Sequence, residues 1–262
     1  MYSNAQKALA ETLGTAALVL VGPGSVVATL VLAGKAVPAV TGADLLGISF
    51  AFGFIITALV YAIGKVSGCH INPAVTFALA LTKRLPWKDA PIYWAAQFVG
   101  AVLGSFAIWG IFGGRAIDLG MGQTAYNSAV TPLLTAALAE FLGTALLMFA
   151  ILGIVDAKSP GDLAGIVIGG VVVAIIMVVG PVTGASLNPA RAFGPQLISA
   201  IAGGATHWEQ YIPVYLVPGF VGAGVAAYVY DFLANPRIVE RPIRAAVTTP
   251  DVTTEAGQPA TA

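Results

Sequence analysis

Five largely apolar stretches of this chain run for 20 residues or more without a charged side chain: residues 13–34, 45–64, 90–114, 163–190 and 210–230. About 20 apolar residues in a helix cross the hydrocarbon core of a bilayer, so each run is long enough to span. A sixth, 133–155, holds one acid, Glu140, and ends at the polar break that begins with Asp156 and Lys158. Charged residues make up only 9 % of the chain against about 25 % in a soluble domain, which leaves too little polar material for a wetted surface. An all-α integral membrane protein with six spans follows. The first run is too long for the apolar part of a signal peptide and is read as a retained helix.

Other classes fall away on the same grounds. Net charge is zero, which offers no basic footprint to a nucleic acid. Cys69 is the one cysteine, so no internal disulfide forms, and no Cys/His cluster has metal-site spacing. No cofactor or metal is expected, and no nucleophile, acid and base converge to suggest an enzyme.

Basic residues near span ends stay on the cytoplasmic side. With both termini inside, that side holds Lys7, Lys65, Lys83, Arg84, Lys88, Lys158, Arg237, Arg241 and Arg244, while Lys35 and Arg115 lie outside. The expectation is a multi-pass protein of the cell membrane with cytoplasmic termini. Arg191, the twelfth, falls inside an otherwise uncharged run, where a cation is costly and marks function.

The chain also repeats itself. Residues 10–16 (AETLGTA) return at 139–145 (AEFLGTA), Asn72-Pro73-Ala74 returns as Asn188-Pro189-Ala190, and Phe98-Val99-Gly100-Ala101 as Phe220-Val221-Gly222-Ala223. Each copy holds three spans, an odd number, so the copies are inverted, a plan that puts a site at the midplane between them. The expected organisation is an N-terminal cytoplasmic segment (1–6), a first repeat (7–111), an extracellular connection (112–132), a second repeat (133–234) and a disordered cytoplasmic tail (235–262).

Asn followed by Pro starts helices, Asn as the cap and Pro at the first position. Only 11 residues separate Asn72 from Lys83, about 16 Å of helix, or half a membrane. The loop before it follows a complete span, so it re-enters. Residues 181–187, ahead of Asn188, repeat the argument from the opposite face. Two half-helices, 72–82 and 188–200, should meet start to start around a central pore, because non-helical backbone at that depth is tolerated only where it is buried in protein or lines a watery cavity. Carbonyls of Gly68, Cys69, His70, Gly184, Ala185 and Ser186 then serve as acceptors, the Asn72 and Asn188 amides as central donors, and the two helix starts add positive potential. Glu11 and Glu140, at matching repeat positions, suit a scaffold that accepts loop N–H groups; proton relay is the competing role. Gly14, Gly100, Gly104, Gly143, Gly165, Gly169, Gly222 and Gly224 suit close helix crossings.

The segments 67–76 (SGCHINPAVT) and 183–195 (TGASLNPARAFGP) resemble the two signature loops of the major intrinsic protein family, the aquaporins and glycerol facilitators, and the resemblance covers residues 7–234. It implies a passive channel for water and small neutral solutes in which a narrow bore, an Arg and half-helix dipoles exclude protons and cations. It also implies a homotetramer, and a four-residue constriction at Phe52, Ile176, Ala185 and Arg191. Water-specific members place Phe, His, a small residue and Arg there, and facilitators Trp, Gly, Phe and Arg. Ile176 in place of His implies a wider, less polar opening that admits glycerol. Ala192 and Gln196 replace the facilitators' usual Asp and Lys, and the pattern is similar to the intermediate aquaporins of archaea and other microbes. The alternatives are a dedicated glycerol facilitator, an ion-coupled secondary transporter, whose folds share inverted repeats and broken helices, and more distantly a membrane enzyme. By repeat symmetry the Cys69 thiol lies near the bore, where a mercurial would block flux; the alternative is an inert buried cysteine. His70 lines the pore or is a buried imidazole, and His207 is an interfacial residue.

Overall fold

A computed structural model describes residues 2–34 and 40–234; the expected tail 235–262 lies outside the described residues, as do Lys35, Arg237, Arg241 and Arg244. Among the described residues six helices are long and apolar enough to cross a membrane, and there is no strand. They are α1 (Asn4–Ala33), α2 (Gly42–Ser67), α4 (Ala90–Phe112), α6 (Leu133–Val155), α7 (Ala164–Thr183) and the span Trp208–Ala234. The last is assembled from a single turn α9 (Trp208–Gln210), a π-helical stretch Tyr211–Leu216 and α10 (Val217–Ala234).

Helix ends follow capping chemistry rather than the limits of the charge-free runs. Ser3 and Gln6 exchange bonds in a capping box, so α1 begins at Asn4 and carries Lys7 and Glu11 within it. Thr41 and Asp44 do the same for α2. The 112–132 connection is not plain loop: it holds α5 (Gly114–Asp118) and a 3-10 turn, Gly120–Gly122.

Between the spans lie the half-helices α3 (Pro73–Leu81) and α8 (Pro189–Ile201), each capped by its Asn with Pro at the first position. Their 9 and 13 residues extend only about 14 and 20 Å, so neither crosses a bilayer. Close crossings bind the spans around them. A Cβ on Gly100 or Gly104 of α4 would collide with the Thr12 or Ala16 carbonyl of α1, and one on Gly222 of α10 would collide with the Phe141 carbonyl of α6. Gly53 and Gly169 each face the other's carbonyl where α2 meets α7. Gly224 is different: a Cβ there would stand 3.4 Å from Leu81 and Phe77, ordinary contact, so the close-crossing role expected for it does not hold.

An apolar core is interleaved with buried polar residues, and many large apolar side chains are exposed, unlike a soluble protein. Glu11, Glu140, Gln97, Asn72, Asn188 and Arg191 are buried, whereas Leu13, Phe54, Leu103, Phe106 and Leu146 are exposed. At the end of the bundle that carries Lys83 and Lys158, Arg84 pairs with Asp231, and the Tyr230 hydroxyl donates to Asp156 at 3.0 Å. The Lys158 N–H and that hydroxyl together hold the Asp156 carboxyl below its usual range.

Candidate functional site

Both re-entrant segments adopt backbone that L-residues avoid. Gly68, Cys69 and Ile71 have positive φ (89°, 51° and 43°), and so do Gly184, Ala185 and Leu187 (80°, 46° and 54°). Each non-glycine residue there costs about 1–2 kcal/mol, and a β-branched one such as Ile71 is a true outlier. Such strain persists only where its surroundings enforce it.

A buried carboxylate does the enforcing in each repeat. Glu11 accepts the N–H groups of His70 (2.9 Å) and Ile71 (2.6 Å), the Ser67 hydroxyl (2.6 Å) and the Gln97 amide (2.9 Å). Glu140 accepts the N–H groups of Ser186 and Leu187, both at 2.8 Å, and the Thr183 hydroxyl at 2.6 Å. Drawing the N–H groups to one side turns the carbonyls to the other. Those of Gly68, Cys69, His70, Gly184, Ala185 and Ser186 meet no donor among the described residues.

Further hydrogen bonds fix the ends of each loop. Tyr93 donates to the Ser67 carbonyl at 2.7 Å and Trp94 to that of Pro73 at 3.1 Å. In the second repeat Tyr215 donates to the Thr183 carbonyl at 2.9 Å and Tyr211 to that of Pro189 at 3.1 Å. The π-helical stretch carries both of these tyrosines, and π segments are rare outside functional regions.

The two loops are tied across the midplane. Asn72 Nδ2 donates to the Leu187 carbonyl and Asn188 Nδ2 to the Ile71 carbonyl, each at 2.7 Å, while the side-chain oxygens cap α3 and α8. An amide carries two N–H groups, so one on each Asn remains for the bore. The half-helices therefore meet start to start.

Two cavities run through this centre. One, of about 240 Å³, is lined by Cys69, His70, Asn72, Ala185, Ser186 and Asn188 on its polar stripe and by aliphatic residues opposite, among them Ile56, Val60, Ile168 and Val172. The other, of about 300 Å³, lies beyond Gly184 and is lined by Leu45, Ile48, Pro181 and Gln123. Phe52, Ile176 and Arg191 line both, and these three are the residues the cavities share. Gly68 faces the first cavity and Gly184 the second.

Arg191 is 2 % exposed. Its Nη1 donates to the Gly122 carbonyl at 3.0 Å, its Nε is buried without an acceptor, and its Cζ stands 5.2 Å from the centre of the Phe52 ring. Among the described residues no carboxylate pairs with it. His70 lines the first cavity and is also held in place, with Nδ1 3.1 Å from Thr76 Oγ1 and its ring against Tyr93. His207 lies near Glu209, 3.8 Å away, apart from both cavities.

Several residues that hold the site have no role assigned from sequence: Ser67, Thr183, Tyr93, Gln97, Tyr211 and the Gly122 carbonyl. A signal existed for some of them. Ser67 and Thr183 are separated by the same 116 residues as Asn72 and Asn188, and Tyr93 and Tyr215 by the same 122 as the Phe-Val-Gly-Ala echo.

Comparisons with known proteins agree with this architecture. The profile of the major intrinsic protein family matches residues 1–230. Aquaporin AqpM of Methanothermobacter marburgensis is 42 % identical over 247 residues, covering 90 % of this chain and all of that one. Aquaporin NIP1-1 of Oryza sativa is 35 % identical over 240 residues, covering 91 % of this chain and 77 % of its own. The X-ray structure of the aquaglyceroporin from Plasmodium falciparum superposes with a TM-score of 0.79 at 27 % identity, over 89 % of this chain and 98 % of that one. With a family match over nearly its whole length, six membrane spans and two paired half-helices, the chain belongs to the major intrinsic protein family.

Proposed function

We infer that this protein is a passive channel for water that also passes glycerol and similar small neutral solutes while excluding protons and ions. The observation that carries the reading is the pair of cavities meeting at Phe52, Ile176 and Arg191, with Ala185 beside them and both Asn amides on the wall of one. The relatives' names support the permeant class: three are aquaporins or an aquaglyceroporin. Phe52, Ile176, Ala185 and Arg191 form the constriction, the Asn-Pro-Ala segments orient the permeant at the centre, and the unpartnered loop carbonyls form its acceptor stripe. Glu11 and Glu140 support the loops.

An ion-coupled transporter needs acids that meet its substrate. Neither Glu11 nor Glu140 lines the two cavities, and each is saturated by loop donors. Flux proportional to the solute gradient, unchanged when proton and sodium gradients are collapsed, supports the channel; saturable flux that stops on collapse overturns it.

The bias of Lys7, Lys65, Lys83, Lys88 and Lys158 to one side supports a reading with both termini and the His70 side in the cytoplasm and the Arg191 side opening outward at the cell membrane. The exposed aliphatic faces of the spans meet lipid and neighbouring subunits in a homotetramer.

Two substitutions test individual assignments. Ile176→His restores bulk and a hydrogen-bonding group to the constriction, and glycerol permeability is expected to fall about tenfold with water permeability held within about twofold; an unchanged glycerol-to-water ratio in stopped-flow light scattering contradicts the assignment. Cys69, 9 % exposed, lines the inner cavity. A thiol-directed mercurial is expected to block water flux in the wild type and to spare Cys69→Ser, whereas undiminished inhibition of that variant removes Cys69 from the path.

A further inference from the structure

The outer cavity has a chemistry that conduction of neutral solutes does not use. Its walls are aliphatic and aromatic on one side, with Leu45, Ile48, Phe52, Ile176 and Pro181. It also presents Thr41, Gln123 and the cation Arg191, and among the described residues no carboxylate lines it. Of the three guanidinium nitrogens, Nη1 is held by Gly122 and Nε is sealed in the protein, which leaves Nη2 as the donor turned to the cavity with no protein acceptor. An ion of this kind is normally paired or hydrogen-bonded when buried, and its charge-assisted bonds are the strong ones.

We propose that the outer cavity binds small alkyl anions, with the anionic head on Arg191 Nη2 and the alkyl chain against Leu45, Ile48 and Pro181, and that the bound anion plugs the bore. This rests on the reading of the bore as a water path. Three observations favour an anion with a short apolar tail over a bare inorganic one. The cavity, at about 300 Å³, exceeds the needs of a single small ion. Its apolar wall rewards burial of methylene groups. Its other polar side chains, Thr41 and Gln123, already donate to Asp44 and to the Ala205 carbonyl, so the guanidinium edge is not part of a cage.

Occupancy ends in block rather than passage. Past Phe52, Ile176 and Ala185 the wall presents the unpartnered carbonyls of Ala185 and Ser186, electron-rich groups that repel an anion while they accept from a neutral hydroxyl or water. Asp44, at the start of α2, is the acid nearest this rim in sequence, and its carboxylate is engaged by the Thr41 N–H at 2.9 Å and hydroxyl at 2.7 Å. Its field opposes entry of any anion, so the measurements belong at constant ionic strength.

The test uses the full chain in proteoliposomes, with propane-1-sulfonate as the anion because it stays ionised and does not cross the bilayer as a neutral acid. Propane-1-sulfonamide is the uncharged control of equal shape. The expected result is a severalfold fall in osmotic water permeability with half-inhibition in the millimolar range, and no comparable effect of the sulfonamide. Leu45→Ser, which removes apolar wall outside the constriction, should raise the half-inhibiting concentration about fivefold. Gly180→Ala supplies an independent check, since a Cβ there points at Leu45 Cδ1 at 3.0 Å and reduces the space for the tail. Equal inhibition by sulfonate and sulfonamide, or potency unchanged in both variants, overturns the proposal. Normal water flux with no inhibition overturns it while leaving the channel reading intact, whereas absence of water flux in untreated wild type is a failure of the channel reading itself.

Discussion

Replacing Glu140 by alanine is expected to remove on the order of 4 kcal/mol of stability, because two buried N–H groups lose their charge-assisted acceptor. The groups concerned are Ser186 and Leu187, both 2.8 Å from the carboxylate, together with the Thr183 hydroxyl at 2.6 Å. Nothing else among the described residues accepts those N–H groups, and without them Ala185 and Leu187 have no reason to stay at positive φ. A fold whose whole margin is about 5–15 kcal/mol then inactivates many times faster on heating, which the decay of water flux after timed incubation in detergent measures directly. Glu140→Gln separates scaffold from chemistry. The amide keeps one acceptor oxygen, so it should fall between wild type and alanine in stability and conduct when folded. If Glu140 were instead a proton relay, the glutamine variant would be stable and lose any gradient-driven flux.

Arg191→Val should sharply weaken cation exclusion. At an effective dielectric of about 20 and a separation of about 5 Å, one fixed charge repels a passing monovalent cation by about 3 kcal/mol, roughly two orders of magnitude in partitioning. Among the described residues no other ionised side chain lines the two cavities, so their barrier from side-chain charge resides in Arg191, while the helix starts of α3 and α8 supply the remainder. Measured with a pH-sensitive dye in proteoliposomes, or as ammonium uptake, the variant should leak at least tenfold above wild type. Loss of the guanidinium also widens the constriction, so glycerol permeability rises with it. Unchanged cation exclusion in a variant that still conducts water would move the barrier to the Asn pair and refute this assignment.

Much of this arrangement was readable from sequence because membranes impose simple rules. Charge-free length finds five of the spans and a run broken only by Glu140 the sixth, and the distance from Asn72 to Lys83 finds the half-helix, since 11 residues cannot cross a bilayer. Repeat offsets found Glu11 and Glu140 as a pair. What the chain did not reveal comes from groups without a sequence signature. Gly122 acts through its backbone carbonyl, inside a connection that reads as loop, and any residue type supplies a carbonyl. The π-helical register of Tyr211–Leu216 depends on Tyr211 and Tyr215 reaching carbonyls of another segment, a tertiary demand that local propensity does not encode. Helix starts are likewise not marked by charge-free length. Lys7 and Glu11 interrupt an apolar run but not a helix, and Ser3 with Gln6 sets the true start of α1.

The Asn amides show how geometry sharpens an expectation. As free donors they would offer two N–H groups each to a permeant. One from each is committed to the opposite loop at 2.7 Å, so the same side chains that face the bore also lock the two repeats together. A substitution such as Asn72→Ala therefore disturbs position and permeation at once, and its flux defect alone does not distinguish them.

Stopped-flow light scattering on proteoliposomes, with protein-free vesicles alongside, tests the central claim most directly. An impermeant osmolyte reports water and an inward glycerol gradient reports solute. The account predicts fast water shrinkage, glycerol entry clearly above the lipid background, and no proton entry by pH-sensitive dye in the same vesicles. Water flux at background would contradict the channel. Water flux with glycerol at background would contradict the constriction assigned to Phe52, Ile176, Ala185 and Arg191, leaving it tight enough for water alone.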